Sequence, residues 1–315
     1  MSARQMPIVV LIVCAVTAAC FATTTEVYFT HPYGGIHKID VSGAVSAVLP
    51  NIGRCTGLES DSQGNLFFGR FTEDLHKIDL MMMTPDLRVA NLGRIIDVGA
   101  VTHSVDIDIA VSKAYEVYFS HPDGGVRKMN AAGTIDTLLP YVGEVVSLEL
   151  WHDDSLYFSR YYDDRHKSDL LVDSPEQPLA NWGDIIEVTS VLLAFDIDLA
   201  INTAGDVYFT HPYGGIYMRT TGGQIRTVLP DVGRCTGLAF DDVENLYFGT
   251  FYDDRHKIDL MKMTPQGQVT NLGNIVQLGP VELRWHGDIA VVPEPAGISL
   301  LALGGLALLK TRRFH

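Results

Sequence analysis

The sequence EVYFTHPYGGIH at residues 26–37 recurs as EVYFSHPDGGVR at residues 116–127 and as DVYFTHPYGGIY at residues 206–217. A second signature follows each of them at a constant distance, as NLFF, SLYF and NLYF at residues 65–68, 155–158 and 245–248. Both sets repeat every 90 residues without insertion or deletion. Three copies, each made of two units of roughly 45 residues, therefore fill residues 25–292.

The repeated segments have the composition of short β-strands. They are rich in β-branched and aromatic residues and are bounded by Gly, Asp, Asn and Pro, with no long helical periodicity between them. In the fifth unit, DIDLAI, DVYFT, IYMRT and IRTVLP predict four strands from residue 196 onward, and the sixth unit repeats that order as CTGLAF, NLYFGTF, HKIDLM and QVTNLG. Six such units predict an all-β fold, a six-bladed β-propeller built from three two-blade repeats.

The ends of the array predict how the ring closes. The first unit starts directly at its second strand, EVYFT, whereas GDIAVV at residues 287–292 follows the last complete unit. We expect this C-terminal segment to become the innermost strand of the first blade, because pairing beside residues 26–30 leaves no open sheet edge.

The units resemble NHL-type and gluconolactonase-like propeller blades, in which a line such as LAINTAGDVYFT at residues 199–210 forms the first two strands. The Asp-Pro-Asp-Gly turn of such blades occurs here only in degenerate versions, such as SQGN at residues 62–65. The resemblance implies, as an alternative function, a metal-dependent hydrolase of the gluconolactonase type.

Residues 1–22 have the pattern of a secretory signal peptide. One cation, Arg4, precedes the apolar run PIVVLIVCAVTAA and small residues suited to cleavage. Signal peptidase is therefore an expected processing partner, and residues 23–292 would form an exported propeller.

Residues 293–315 form a separate tail. Pro293, Glu294 and Pro295 precede the uncharged stretch 296–309 and a basic end. Because about 20 residues are needed to cross a bilayer core, we expect a transient transmembrane helix rather than a permanent one. The tail resembles a PEP-CTERM sorting signal. This resemblance implies processing by an exosortase in a Gram-negative bacterium and display at the cell surface or in the extracellular matrix, with an ordinary C-terminal membrane anchor as the alternative.

Charge and cysteine content narrow the partners. The chain has 23 Lys and Arg against 38 Asp and Glu, a net charge of −15, and this argues against nucleic-acid binding because phosphate contacts need clustered cations. An acidic exported body suits cations or neutral glycans better than nucleic acid or anionic lipid. The resemblance to PEP-CTERM proteins implies extracellular polysaccharide or matrix proteins as partners. Cys55 and Cys235 hold equivalent positions in the first and third copies, so we expect them to be too far apart for a disulfide and to be buried as small apolar groups.

Histidine and aspartate recur at turns that a propeller places on one face of the ring. Neutral imidazole and carboxylate both bind polar ligands and divalent ions, so these turns predict a ligand-binding face. The alternative is structural, since His-Pro-x-Gly-Gly forms a tight turn and the Asp-Asp-Arg-His type caps another. The predicted residues are His31, His121, His211, Asp74, Asp164, Asp254, His76, His166 and His256.

A second candidate site lies on the axis. Asp108, Asp198 and Asp288 start three innermost strands, and threefold repetition brings them toward one point. Such a group could recruit a divalent cation such as calcium as cofactor, or its members could cap backbone amides at a solvated tunnel mouth.

Three functional classes follow from these features. An exported, non-catalytic module that binds a glycan, a protein or an ion is the leading hypothesis, because triplication gives multivalent presentation and no catalytic motif is evident. The alternatives are the metal-dependent hydrolase and a structural spacer without a specific ligand.

Overall fold

The computed structural model describes residues 25–40, 42–72, 76–98, 107–161, 167–187, 197–230, 232–251, 257–277 and 287–292. All regular structure in these ranges is β-strand, in six antiparallel four-stranded sheets. No helix in these ranges could cross a membrane. The predicted signal peptide and the sorting tail, including Pro293, Glu294, Pro295 and the expected transmembrane helix, lie outside the described residues.

The odd blades correspond to the first unit of each copy. Blade 1 has β24 (Ile289–Val292), β1 (Glu26–Thr30), β2 (Ile36–Ile39) and β3 (Val45–Leu49). Blade 3 has β8 (Ile109–Val111), β9 (Val117–Ser120), β10 (Gly125–Met129) and β11 (Ile135–Pro140). Blade 5 has β16 (Leu199–Ile201), β17 (Val207–Thr210), β18 (Ile216–Arg219) and β19 (Ile225–Leu229).

The even blades correspond to the second units. Blade 2 has β4 (Cys55–Ser60), β5 (Leu66–Phe71), β6 (Lys77–Met83) and β7 (Val89–Asp97). Blade 4 has β12 (Glu144–Leu150), β13 (Leu156–Tyr161), β14 (Lys167–Asp173) and β15 (Ala180–Glu187). Blade 6 has β20 (Arg234–Phe240), β21 (Leu246–Phe251), β22 (Lys257–Met263) and β23 (Val269–Gln277).

The C-terminal strand closes the ring as predicted. β24 pairs antiparallel with β1 over four residue pairs, from Glu26 with Val292 to Phe29 with Ile289. It also packs against the innermost strands of blades 2 and 6, where the Ser60 hydroxyl donates to the Val291 carbonyl at 2.9 Å and the Gly287 amide donates to Thr236 Oγ1 at 3.0 Å. The predicted shared blade and the six-bladed propeller are therefore confirmed.

The core repeats with the blades. The second strand of every blade contains one phenylalanine that has no exposed surface. Apolar side chains from neighbouring sheets cluster around these phenylalanine side chains. These residues are Phe29, Phe68, Phe119, Phe158, Phe209 and Phe248. The phenylalanine that ends each strand signature is thus the fully buried side chain around which the core of its blade packs.

Two strand boundaries differ from the sequence prediction by three residues or more, and the others in blades 5 and 6 agree within two residues. The innermost strand of blade 5 is β16, Leu199–Ile201, which is shorter than DIDLAI, because the amides of Asp198 and Leu199 donate to side-chain hydroxyls of neighbouring strands. The outermost strand of blade 6 continues beyond QVTNLG to Gln277. A register shift beside Gly273, whose φ is 129°, permits this extension because glycine tolerates that conformation.

Cys55 and Cys235 are free and buried, as expected from their equivalent positions. Burial raises the pKa of both thiols to about 12, so they remain protonated at physiological pH.

Candidate functional site

The innermost strands surround a small cavity on the ring axis. Five carboxylates line it: Glu59, Asp108, Glu149, Asp198 and Asp288. The cavity volume is about 30 Å³, which is room for one or two water molecules. The three aspartates predicted from the sequence therefore do line one space.

Each predicted axial aspartate bonds to a neighbouring strand. Asp108 Oδ2 accepts hydrogen bonds from the Leu148 amide at 2.7 Å and from the Ser147 hydroxyl at 3.0 Å, which joins blade 3 to blade 4. Asp198 Oδ2 accepts from the Gly237 amide at 2.8 Å, which joins blade 5 to blade 6. Asp108 and Asp198 thus cap backbone amides between blades, which is the structural alternative for two members of this triad.

The arrangement does not suit an axial calcium ion. Calcium takes six to eight oxygen ligands, whereas within the described ranges no three His, Cys, Asp or Glu side chains are grouped so that they could hold a metal. Asp108 and Asp198 direct oxygens to amides of the next blade, and Asp288 Oδ2 accepts from the Thr30 hydroxyl at 3.3 Å. The predicted residues therefore share a cavity, but the described residues lack the grouping that the ion requires.

Two tunnel residues were not predicted from the sequence. Glu59 and Glu149 are 90 residues apart near the ends of β4 and β12, and Ala239 occupies the third equivalent position. Burial, followed by the charges of Asp108 and Asp61, raises the pKa of Glu59 to about 8. Burial and the neighbouring Glu59 also raise the pKa of Glu149 well above its usual range. The sequence signal that could have identified them is the recurrence of glutamate, 90 residues apart, on two innermost strands.

The three histidines of the His-Pro-x-Gly-Gly turns hold those turns together. The Nδ1 atoms of His31, His121 and His211 accept hydrogen bonds from the amides two residues later, at 3.2–3.3 Å. The three rings lie on three different blades, one in each turn. His121 is 5% exposed, so this imidazole is buried within its blade.

The same contacts fix the protonation of these histidines. Burial lowers the pKa of His31 and of His121 to about 4 and lowers that of His211. An Nδ1 atom that accepts a backbone hydrogen bond must be unprotonated, in agreement with this direction. The imidazoles are thus neutral turn-forming groups at physiological pH.

Of the other six residues predicted for the ligand-binding face, the structure describes only His76. His76 immediately precedes β6, and its carbonyl accepts from the Val98 amide at 3.2 Å. The others, Asp74, Asp164, Asp254, His166 and His256, lie outside the described residues.

Each His-Pro-x-Gly-Gly turn is bonded to the linker that enters the next blade. The second glycine donates its amide to a linker glycine, from Gly35 to Gly53 at 2.7 Å and from Gly125 to Gly143 at 3.1 Å, and residues 215 and 233 repeat the contact at 2.8 Å. We call these pairs the turn–linker units: residues 31–35 with 50–54, 121–125 with 140–144, and 211–215 with 230 and 232–234. They lie on one face of the ring, here called the linker face.

Glycine is required where turn and linker meet. Gly34 has a φ of 98°, and a Cβ there would lie 2.8 Å from the Gly53 carbonyl oxygen; a Cβ on Gly214, whose φ is 105°, would lie 2.9 Å from the Gly233 oxygen. No side chain fits such a close backbone approach. The turn–linker units are therefore fixed by backbone contact as well as by histidine.

The ring, its shared closing blade and its axial carboxylates place the chain among six-bladed β-propellers. No protein-family model matches the chain, and no curated protein matches it in sequence.

Among solved structures, the chain is similar to a gluconolactonase from Xanthomonas campestris, with a TM-score of 0.54 and 13% identity over 80% of this chain and 85% of that one. It is similar also to a Bacteroides caccae protein of unknown function, with a TM-score of 0.52 and 13% identity over 86% of this chain and 100% of that one. At these identities the likeness establishes a shared fold.

Proposed function

We propose that this chain is an exported β-propeller of the cell surface or extracellular matrix, and that it acts as a non-catalytic binding module through its linker face. Export is supported by the leader pattern at residues 1–22, and sorting by Pro293, Glu294 and Pro295 ahead of an apolar stretch and a basic end. Signal peptidase and an exosortase would process the two ends.

The observation that carries the binding role is the threefold repetition of the turn–linker unit. Each unit is fixed by a backbone hydrogen bond to the next blade and by a histidine whose Nδ1 is used inside the turn. Three rigid, equivalent units on one face present a ligand with repeated contact points, which increases avidity without requiring a deep pocket.

Blocking the linker face tests this role. Asp123 is exposed in one turn, and Val243 is 61% exposed in a turn on the opposite face. The two native thiols in residues 23–292, those of Cys55 and Cys235, are buried, so Asp123→Cys and Val243→Cys provide matched sites for a large maleimide polyethylene glycol on the mature protein. The labelled mature protein is added to cells that lack its gene but still carry their extracellular matrix. The measurement is the fraction of the labelled protein that these cells retain.

The labelled Asp123→Cys protein should lose retention, while the labelled Val243→Cys protein should be retained like the unlabelled one. Equal retention of both would place binding elsewhere, and no retention of the wild type would favour the structural spacer.

The hydrolase alternative is supported by the fold shared with a gluconolactonase. It predicts turnover of a sugar lactone that depends on added calcium or zinc and is lost in the Asp108→Asn, Asp198→Asn, Asp288→Asn triple variant. Such turnover would overturn the non-catalytic proposal.

A further inference from the structure

We infer that the linker face carries three subsites for a neutral polysaccharide, one in each turn–linker unit, centred on Tyr33, Tyr141 and Tyr213. This assignment rests on the proposed binding function and deepens it by naming the class of ligand. One tyrosine belongs to each turn–linker unit: Tyr33 and Tyr213 stand in the turns of blades 1 and 5, and Tyr141 stands in the linker that leaves blade 3.

The three rings are exposed to an extent unusual for tyrosine in this protein. Tyr33, Tyr141 and Tyr213 are 68%, 87% and 56% exposed, whereas Tyr28 and Tyr118 on the second strands are 7% and 8% exposed. An exposed phenol offers a flat apolar face and a polar edge, which matches a pyranose ring with its C–H face and its hydroxyls.

The turn tyrosines are held in place before any ligand binds. The ring centroids of Tyr33 and His31 are 5.7 Å apart, and those of Tyr213 and His211 are 5.6 Å apart. The backbone amide of each tyrosine donates to Nδ1 of the same histidine. Binding therefore orders few additional degrees of freedom.

Tyr141 gives independent support. Its φ is 55°, in the left-handed region that a bulky residue rarely adopts. The equivalent residue of the first copy is Asn51, and the second copy has Asp123 in the turn position where Tyr33 stands in the first. The second turn–linker unit thus lacks a tyrosine in its turn but has one in its linker. A strained backbone position that is exposed and packs against no core is typical of a functional residue.

The charges select a neutral polymer. Residues 23–292 have 19 Lys and Arg and 37 Asp and Glu, a net charge of −18, which repels polyanions. In each of the three turn–linker units, a charged residue stands where the linker enters the next innermost strand. The sign of this charge differs between the units, since the residues are Arg54, Glu144 and Arg234. A polymer of either charge would meet at least one repulsive unit, whereas hydroxyl groups can donate to a carboxylate and accept from a guanidinium.

Affinity electrophoresis of the mature protein tests the assignment, with dextran, a β-glucan and a galactomannan as neutral polymers and alginate as the polyanion. At least one neutral polymer should retard the wild type, and alginate should not. Each single Tyr→Ala change should weaken apparent affinity roughly two- to tenfold. The Tyr33→Ala, Tyr141→Ala, Tyr213→Ala triple variant should weaken it about a hundredfold, because multivalent contact is lost.

Two controls separate stacking from folding. The triple Tyr→Phe variant keeps the rings and should bind within about threefold of the wild type. Tyr115→Ala changes a tyrosine on the opposite face that is 39% exposed and also has a positive φ, 59°, and this variant should bind normally. Thermal melting checks each fold, and Tyr141→Asn, which introduces the residue of the first copy, removes the ring without requiring a strained bulky side chain.

The assignment is overturned if no neutral polymer retards the wild type, if alginate retards it equally, or if the triple alanine variant still binds. A loss of cell retention on blocking Asp123 without retardation by any neutral polymer would reject the ligand class and leave the binding function standing. Retention that is the same after blocking either face would reject the binding function itself.

Discussion

Removing the closing strand is the most direct perturbation of this ring. β24 buries Ile289, Val291 and Val292, each at most 7% exposed, between blades 1, 2 and 6. At about 1.5–3 kcal/mol for each buried Val or Ile side chain, deleting residues 287–292 should cost about 4–9 kcal/mol. This is comparable to the whole free energy of unfolding of a typical domain, about 5–15 kcal/mol.

The assay compares a chain ending at residue 292 with one ending at residue 286, by thermal melting and by size-exclusion chromatography. The shorter chain should unfold at a much lower temperature and associate, because β1 becomes an open sheet edge. A synthetic peptide of residues 287–292, added in excess, should raise its melting temperature, since it binds only the folded ring.

A matched pair of point variants isolates closure from simple loss of core. Ile289 and Ile109 hold equivalent positions and are 5% and 1% exposed. A Cβ on Gly237 would lie 2.7 Å from Ile289 Cγ1, and a Cβ on Gly57 would lie 2.9 Å from Ile109 Cγ1, so the two isoleucines face the next blade in the same way. Either change to Ala should cost about 2–5 kcal/mol, but only Ile289→Ala should speed amide exchange in β1. If the shorter chain melts like the longer one and stays monomeric, closure by β24 does not stabilise the ring.

Three further predictions address the tunnel, blade 4 and the tail. Because the folded pKa of Glu59, about 8, exceeds its usual value of 4.5, the stabilising contribution of the protonated group is complete below about pH 4.5 and is lost as pH rises toward 8; Glu59→Gln should flatten this decline in a series of urea melts, and an unchanged slope would contradict it. Ser159 and Ser168 are fully buried, and among the described residues their hydroxyls have no hydrogen-bond partner, so the Ser159→Gly, Ser168→Ile double variant, which introduces the residues of the other two copies, should raise the free energy of unfolding by about 1–3 kcal/mol; a lower free energy of unfolding in chemical denaturation would refute this reasoning. Replacing residues 293–295 with alanine should leave export intact but keep the tail on the membrane-bound protein, and mass spectrometry of a wild-type secreted form that still ends at His315 would exclude cleavage.

The fold was predictable because its signals are periodic. Six recurrences of one strand signature, bounded by turn residues, predicted six blades, and the misplaced GDIAVV predicted the shared blade. The strand ends were less predictable. Where β23 runs on to Gln277, the extension depends on a register shift at Gly273, which follows from packing against β22 and leaves no periodic trace in the sequence.

The site was predictable only in part. Repetition identified Asp108 and His31 as recurring polar residues, but residue type alone does not say whether a carboxylate faces an ion or a neighbouring amide. In the structure, the Asp108 carboxylate accepts a hydrogen bond from the Leu148 amide, and His31 Nδ1 accepts one from the Tyr33 amide. Tyr141 escaped notice for the opposite reason: it is not repeated at the equivalent positions, and only its exposure and its φ single it out.

The path of the chain bears on how the proposed tail and the linker face work together. Every innermost strand starts on the linker face and ends on the opposite one, so β24 leaves the ring on the opposite face, where Val292 pairs with Glu26. Pro293 follows at once. We therefore propose that a propeller held at a membrane through this tail turns its linker face, with Tyr33 and Tyr213, away from the bilayer. On this proposal, the closing strand that seals the sheet also directs the proposed binding face toward the extracellular matrix.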